Sequence, residues 1–169
     1  TSIKGEVNLL NLAELRSAAC GSRFGQPFAL TKVPTFEEAI PSLGPMTHFY
    51  LDAKEISPDA LANIIKSHHL EARSVVYQSA DYLQKLKAIL PTARVLPPLD
   101  NIDEIDPLAP LTPYAVDASW SSLSRELVDK CHQKNILVFS DALGLHETVP
   151  SYRQAIEWGV DVIQTDHPA

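Results

Sequence analysis

One predicted strand of the chain ends in an acid and a base. Asp52 and Lys54 stand two residues apart at the end of the apolar segment 48–53, so both side chains point to the same face of the strand. A carboxylate binds a hard divalent cation, and an ammonium group binds a phosphate oxygen. The pair therefore fits phosphate chemistry. An ion pair at a solvated strand end is an equally good interpretation.

A second strand, 160–164, runs into Thr165, Asp166, His167 and Pro168. In a sheet of parallel strands both strand ends open on the same edge, where α/β proteins place their chemistry. The residue types at this end also fit a capping turn, in which an Asp side chain binds backbone amides and a proline directs the exit. The capping turn is the favoured interpretation for Asp166 and His167.

Further polar side chains end other predicted strands and are candidates to line a pocket at this edge. Taken singly, each is more typical of a structural role. These candidates are Tyr77, Gln78, Asp117, Trp120, Ser140 and Asp141. The sequence contains no GxGxxG, phosphate-binding loop, GxSxG or HExxH motif.

The elements that would position these residues alternate between strand and helix after a helical lead-in. The lead-in, 1–44, contains predicted helices over 9–19 and over 34–42, the second with Thr35 as its N-cap. The remainder, 45–169, consists of βα units, and the whole chain, 1–169, is predicted to form a single domain. The predicted strands are 48–53, 73–77, 93–96, 114–116, 136–140 and 160–164. The predicted helices between them are 57–68, 79–90, 121–133 and 152–158. The Pro- and Asp-rich segment 97–113 is predicted to be a long surface loop.

Alternation of this kind predicts an α/β fold with a largely parallel sheet. Two architectures fit the pattern. A doubly wound, flavodoxin-like sheet fits the length of 169 residues best. A (β/α)8 barrel of the TIM type needs ~250 residues, so the chain could supply only part of one. Spacing alone does not choose between them.

Composition narrows the class of protein. An apolar fraction of 45% and a charged fraction of 21% are ordinary for a soluble globular protein. A net charge of -7 argues against nonspecific nucleic-acid binding, which needs clustered Lys and Arg. No apolar run reaches the ~18 residues of a transmembrane segment. We expect a soluble protein, either cytoplasmic or exported to the periplasm or medium, because a chain that begins with Thr1 gives no information on a signal peptide.

Three segments resemble the glycerophosphodiester phosphodiesterase family. Residues 34–39 (PTFEEA) resemble its "iPtleEal" helix start, and residues 51–54 (LDAK) resemble its "iElK" strand with Asp in place of Glu. Residues 158–168 (WGVDVIQTDHP) resemble its closing "GvDgiiTDrP" and are the most specific of the three. The resemblance implies a (β/α)8 barrel that hydrolyses glycerophosphodiesters, the deacylated phospholipids, to an alcohol and glycerol 3-phosphate with a divalent metal.

On this resemblance Asp52 is a metal ligand, for Mg or Ca, and Lys54 contacts the substrate phosphate. Phe139 stands where the family's "vWTvN" strand has its tryptophan and would contribute a substrate-binding wall. The resemblance implies no catalytic residue in this chain, because the family's His-Arg-Gly, Glu-x-Asp and His-Asp segments have no counterpart in it. One carboxylate alone binds a metal weakly or not at all.

The resemblance therefore predicts the C-terminal part of a phosphodiesterase barrel, with little or no activity in the isolated chain. A part-barrel exposes two strand edges, so we expect either a missing N-terminal portion or a homodimer to cover them. The alternative is a noncatalytic part-barrel module that binds a phosphate ligand or a partner subunit.

Overall fold

The computed structural model of the chain describes residue 3 and residues 5–167. Its backbone forms two compact units, Thr1–Thr47 and His48–Ala169. We call the first the N-terminal unit and the second the α/β unit. All of the predicted site residues belong to the α/β unit.

The N-terminal unit contains two short helices, each of which begins with a capping box. The helices are α1 (Leu12–Ser17) and α2 (Phe36–Ser42), and the 3-10 turns are Val7–Leu9, Ser22–Phe24 and Gln26–Phe28. The side chains of Asn11 and Thr35 accept hydrogen bonds from the backbone amides of Glu14 and Glu38. In return, the Glu14 and Glu38 carboxylates accept hydrogen bonds from the backbone amides of Asn11 and Thr35. Each exchange satisfies two backbone donors at a helix start. The predicted N-cap at Thr35 is confirmed, and the helix predicted over 9–19 is shorter than expected.

The α/β unit alternates strands and helices, as the sequence predicts. The strands are β1 (Phe49–Asp52), β2 (Ser74–Tyr77), β3 (Val95–Leu96), β4 (Pro98–Leu99), β5 (Ala115–Ala118), β6 (Leu137–Asp141) and β7 (Val162–Gln164). The helices are α3 (Pro58–Ser67), α4 (Ala80–Ile89), α5 (Ile105–Leu108), α6 (Arg125–Gln133) and α7 (Val149–Trp158). No helix in the described part of the chain is long and apolar enough to cross a membrane.

All strand pairs of the two sheets are parallel, in the orders β1-β2-β3 and β4-β5-β6-β7. Only Pro97 separates β3 from β4. On either side of it the amide of Tyr114 donates to the Val95 carbonyl and the amide of Asp117 donates to the Pro97 carbonyl. Because proline has no amide hydrogen, the ladder is interrupted at this residue. β3 and β4 therefore occupy one position, and the two sheets together have six parallel strand positions.

Apolar side chains are buried on both faces of these strands. The larger core joins the strands to the helices and includes Leu99, Ile105, Val116, Leu127, Val128 and Val138. A smaller cluster comprises Val75, Leu96 and Ala115, with Tyr77, Leu137 and Phe139 packed against it. Successive side chains of a strand alternate between faces, so the second cluster lies on the face turned away from the first. Burial of both faces is typical of the parallel sheets of α/β proteins.

The prediction of an irregular surface loop over 97–113 was wrong. This segment contains β4 and the helical turns Ile102–Glu104, Ile105–Leu108 and Ala109–Leu111. Leu99 and Ile105 are fully buried, and Ile102 and Leu108 pack against the same core. The proline and aspartate content suggested a loop, but apolar residues recur there at a spacing of three. Their burial orders the segment.

Candidate functional site

Asp52 and Lys54 lie at the carboxyl end of β1 and form an ion pair. The Lys54 Nζ lies 2.7 Å from the Asp52 Oδ2, and both side chains are exposed to solvent. The hydrogen bond that Lys54 donates to Asp52 raises the pKa of Lys54, so the ammonium group keeps its charge at neutral pH. An exposed pair of this kind adds little to the stability of the fold. Its main consequence is to hold two opposite charges side by side at the edge of the sheet.

Gln78 fixes the backbone that carries this pair. Its side-chain nitrogen donates to the Ala53 carbonyl over 2.6 Å, and its side-chain oxygen accepts the Ser79 amide over 2.6 Å. The Ala53 amide also donates to the Tyr77 carbonyl. The end of β1 is therefore tied to the end of β2, and Gln78 has the structural role that its residue type suggested.

A cavity of about 280 Å³ opens at this edge of the sheet. We call it the rim cavity, and it is lined by Tyr50, Asp52, Lys54, Tyr77, Asp117, Asp141 and Gln164. The strand register explains why these residues meet. Asp52 is opposite Tyr77, and Asp141 is opposite Gln164, and parallel partners point to the same face of a sheet. The residues come from β1, β2, β5, β6 and β7, so five strands contribute to one opening.

The lining of the rim cavity has more acidic than basic groups, since Asp52, Asp117 and Asp141 accompany Lys54. Burial, followed by repulsion from Asp141, raises the pKa of Asp117 to about 7, although a hydrogen bond from the Tyr50 hydroxyl works in the opposite direction. Burial also raises the pKa of Asp141, with the charge of Asp52 as the second cause. The rings of Tyr50 and Tyr77 stack with their centroids 5.9 Å apart, which gives the cavity one aromatic wall.

A second cavity, of about 290 Å³, adjoins the first. We call it the side cavity, and it is lined by Tyr77, Pro98, Asp100, Asp117, Ala118, Ser119, Trp120 and Asp141. Tyr77, Asp117 and Asp141 line both cavities. The indole of Trp120 stacks on the His146 ring with a centroid distance of 5.5 Å and an interplanar angle of 27°. This contact fixes the orientation of the indole.

Phe139 does not line either of these cavities. Phe139 precedes Asp141 by two residues on β6, so both side chains point to the same face of the sheet. The Phe139 ring packs against the cluster of Val75, Leu96 and Ala115. There it lines a separate cavity together with Tyr50 and Val162. The side chain that β6 presents at the rim is Asp141. The role of Phe139 as a substrate wall stays a prediction.

Ser140, another candidate from the sequence, points away from the site. Its side chain is 1% exposed, and its hydroxyl donates to the Ala118 carbonyl over 2.7 Å. The alternation of side chains along β6 explains the difference between Ser140 and its neighbour Asp141. Besides Asp52 and Lys54, four of the sequence candidates line the two cavities: Tyr77, Asp117, Trp120 and Asp141.

The turn after β7 is organised by Glu147. Its Oε1 accepts the Thr165 hydroxyl over 2.8 Å and the Asp166 amide over 2.7 Å. These contacts, the amide first, lower the pKa of Glu147. The Thr165 hydroxyl in turn accepts the His167 amide over 3.0 Å. The backbone amides of this turn are bonded by Glu147 and Thr165, whereas the predicted capping turn had the Asp166 side chain in that role. Pro168 lies outside the described residues.

The described residues do not form a complete metal site. No group of three or more His, Cys, Asp or Glu side chains among them could hold a metal ion. Asp52 is placed where a single ligand could act, but its carboxylate is occupied by Lys54. The residues that line the rim cavity include no histidine. A metal bound here would need further ligands.

Tyr50, Asp100 and Gln164 also line the cavities, and the sequence analysis did not single them out. The available signal was the period of two along a strand. Tyr50 precedes Asp52 by two residues and therefore shares its face. Asp100 directly follows β4, which had been assigned to a loop, so its position at a strand end was hidden. Gln164 is the last residue of β7 and stands beside the more conspicuous turn at Thr165.

No family profile and no curated protein matches the chain by sequence. Solved structures do match it. A glycerophosphoryl diester phosphodiesterase from Parabacteroides distasonis superposes with a TM-score of 0.82 at 18% identity, over 99% of this chain and 63% of that one. A glycerophosphodiester phosphodiesterase from Agrobacterium tumefaciens gives a TM-score of 0.81 at 17% identity, over 99% and 73%.

A third structure, from Galdieria sulphuraria and named provisionally as the same kind of enzyme, gives a TM-score of 0.83 at 18% identity, over 98% and 70%. The chain thus spans 63 to 73% of the length of these structures. The TM-scores establish that the fold is shared, and at identities this low they establish nothing beyond the fold. The fold is that of part of a parallel α/β barrel, which confirms the predicted barrel over the flavodoxin-like alternative.

Proposed function

We propose that this chain is the C-terminal part of an enzyme that hydrolyses glycerophosphodiesters to an alcohol and glycerol 3-phosphate with the help of a divalent metal. The observation that carries the proposal is the Asp52–Lys54 pair. It stands at the carboxyl end of a parallel strand, the end at which α/β barrels place their active sites. The match to phosphodiesterase structures over 98 to 99% of the chain supports the same proposal.

In this proposal Lys54 binds a nonbridging oxygen of the substrate phosphate. Its charge is secured by its contact with Asp52, and an ammonium group gives a strong charge-assisted hydrogen bond to phosphate. Asp52 is one carboxylate ligand for Mg or Ca, which when bound would neutralise charge on the phosphate. The described residues contain no group of three ligands, so the remaining ligands and the acid and base must come from other residues. The isolated chain then has little or no activity.

The test compares hydrolysis of glycerophosphoglycerol by the longest natural polypeptide that contains this sequence and by the 169-residue chain. We expect metal-dependent turnover by the longer polypeptide alone. In that polypeptide Lys54→Met should reduce kcat/KM about 10- to 150-fold, since a charged hydrogen bond to phosphate contributes about 1.5–3 kcal/mol. Asp52→Asn should also raise the metal concentration needed for half-maximal rate.

The matched controls are Lys85→Met and Asp129→Asn, which remove the same charges from α4 and α6 and should leave the rate unchanged. Both residues are exposed. Full activity of the Lys54→Met variant would refute the proposed role of this lysine. Turnover by the 169-residue chain would refute its predicted inactivity.

A second candidate function is a noncatalytic part-barrel that binds a phosphate ligand or a partner subunit. The lack of a three-ligand metal group among the described residues favours it. Tyr50 on β1 and Val162 on β7 are 40% and 43% exposed, although both lie on the inward face of their strands. A homodimer could cover the exposed side chains of Tyr50 and Val162. Binding of glycerol 3-phosphate by a dimer that never hydrolyses a phosphodiester would establish this alternative, and a clean monomer would exclude the dimer.

A further inference from the structure

A separate cavity lies between α4 and the helical turns that follow β4. We call it the helix cavity. Its volume is about 230 Å³, several times the ~30 Å³ that one water molecule occupies in the liquid, so it has room for a small organic molecule. Its lining shares no residue with the rim cavity or the side cavity.

One wall of the helix cavity is a single face of α4. Ala80, Gln84 and Lys87 form this wall, because residues four and three apart lie on the same side of a helix. They extend about 10 Å along the helix axis. The opposite wall is apolar and comes from the helical turns: Pro107, Leu108, Pro110 and Leu111. The cavity therefore has an apolar body and a cation at one end.

The cation, Lys87, is held in place by Thr112, which also lines the cavity. The Lys87 Nζ donates to the Thr112 carbonyl over 3.1 Å and to the Thr112 hydroxyl over 2.7 Å. An ammonium group has three donors. One donor is therefore left for a ligand, at a position that the two bonds to Thr112 fix.

No carboxylate within the described residues forms an ion pair with Lys87. Asp106, beside the apolar wall, pairs instead with Lys130 over 3.1 Å and with Lys134 over 2.7 Å. Burial lowers the pKa of Lys87, as expected for a half-buried cation without an anionic partner. An anion in the cavity would offset this effect.

We propose that the helix cavity binds a small organic anion, a carboxylate on a short aliphatic chain. The carboxylate accepts a charge-assisted hydrogen bond from Lys87, and the Gln84 amide, on the same face of α4, can donate a second. The chain then lies along α4 towards Ala80, where the apolar wall removes its methylene groups from water. An inorganic anion would leave the apolar wall unused, and an uncharged alcohol would leave the cation unpaired.

The test is a titration of the 169-residue protein with three probes at constant ionic strength. Hexanoate has both the charge and the chain, acetate has the charge alone, and hexan-1-ol has the chain alone. The methyl NMR signals of Leu108 and Leu111 report on the cavity, and Leu108→Ile and Leu111→Ile identify them. We expect hexanoate to shift these signals and to bind about tenfold or more tightly than either of the other probes.

Lys87→Met should remove the preference for hexanoate over hexan-1-ol. The matched control Lys85→Met should keep it, because Lys85 is exposed on the same helix and does not line the cavity. Ala80→Phe fills the apolar end and should weaken binding of both hexanoate and hexan-1-ol about tenfold. Ala80 is exposed at the start of α4, so this variant retains the fold.

The inference would be overturned by equal affinity for hexanoate and hexan-1-ol, or by equal affinity for hexanoate and acetate. Unchanged hexanoate binding in both Lys87→Met and Ala80→Phe, or no response of the methyl signals to hexanoate, would also overturn it. The measurement requires no hydrolysis and concerns a cavity apart from the rim. Its failure would leave the proposed function as it stands, and an inactive protein that binds hexanoate selectively would uphold the anion site.

Discussion

Replacing Asp117 with asparagine should stabilise the fold above neutral pH. Asp117 lies at the centre of the acidic rim, where burial and the charge of Asp141 raise its pKa from 3.8 to about 7. At 1.36 kcal/mol per pKa unit this rise corresponds to about 4 kcal/mol. Because the group is partly accessible to solvent, screening reduces the expected effect to about 2 kcal/mol. Asparagine has the same shape and can still accept the Tyr50 hydroxyl.

The sign of the effect follows from proton linkage. The folded state holds the Asp117 proton more tightly than the unfolded state does, so ionisation of this group destabilises the fold progressively between the unfolded and folded pKa values. The free energy of unfolding of Asp117→Asn minus that of the wild type should therefore be near zero at about pH 4. It should grow with pH and level off above about pH 7.

Urea unfolding followed by circular dichroism between pH 4 and pH 8 measures this difference directly. Groups with lowered pKa values, such as Asp106 and Glu147, destabilise both proteins as the pH falls and cancel in the difference. Asp103→Asn is the matched control and should give a flat difference near zero. A variant that is less stable than the wild type at pH 8, or a pH-independent difference, would refute the assignment of Asp117 as a destabilising buried acid.

Two further predictions test the packing and the closing turn. Leu99→Ala should lower the free energy of unfolding by about 2–5 kcal/mol, because Leu99 is fully buried in the larger core. An effect below about 0.5 kcal/mol in urea unfolding would restore the surface-loop interpretation of 97–113. Glu147→Gln should lower the melting temperature above about pH 5, because the variant lacks the charge that the Thr165 hydroxyl and the Asp166 amide contact. The difference should disappear as the pH falls through the lowered pKa of Glu147. Equal melting temperatures at pH 7 would contradict this role.

The strands and the Asp52–Lys54 pair could be predicted because both depend on local sequence. Apolar, β-branched segments of four to six residues between helical patterns place every described strand except β4 within a few residues. The period of two then puts Asp52 and Lys54 on one face at a strand end. The same rule, applied to β1, would have found Tyr50. These features need no knowledge of which strand lies beside which.

The convergence of Asp100, Asp117 and Asp141 could not be predicted in the same way. Asp117 and Asp141 lie on β5 and β6, and Asp100 directly follows β4. Their position around one cavity depends on strand order, register and curvature, which local periodicity does not specify. Asp100 was further hidden by Pro97, because the proline that interrupts the ladder also makes the segment after it look like a loop. The resemblance to phosphodiesterases implied a barrel, and its motif on β6 pointed to Phe139, whereas Asp141 was a candidate only through its place at a strand end.

The inner face of the sheet changes from apolar to acidic along the direction of the strands. Val75, Leu96 and Ala115 form a buried apolar layer. On the same face, Asp117 follows Ala115 by two residues on β5, and Asp141 follows Phe139 by two residues on β6. Burial of apolar side chains stabilises the first layer, whereas ionised carboxyl groups in the second oppose folding. A sequence selected for stability alone would place neutral residues there. The acidic layer therefore lowers the stability of the fold, and the Asp117→Asn comparison measures the contribution of its most perturbed member.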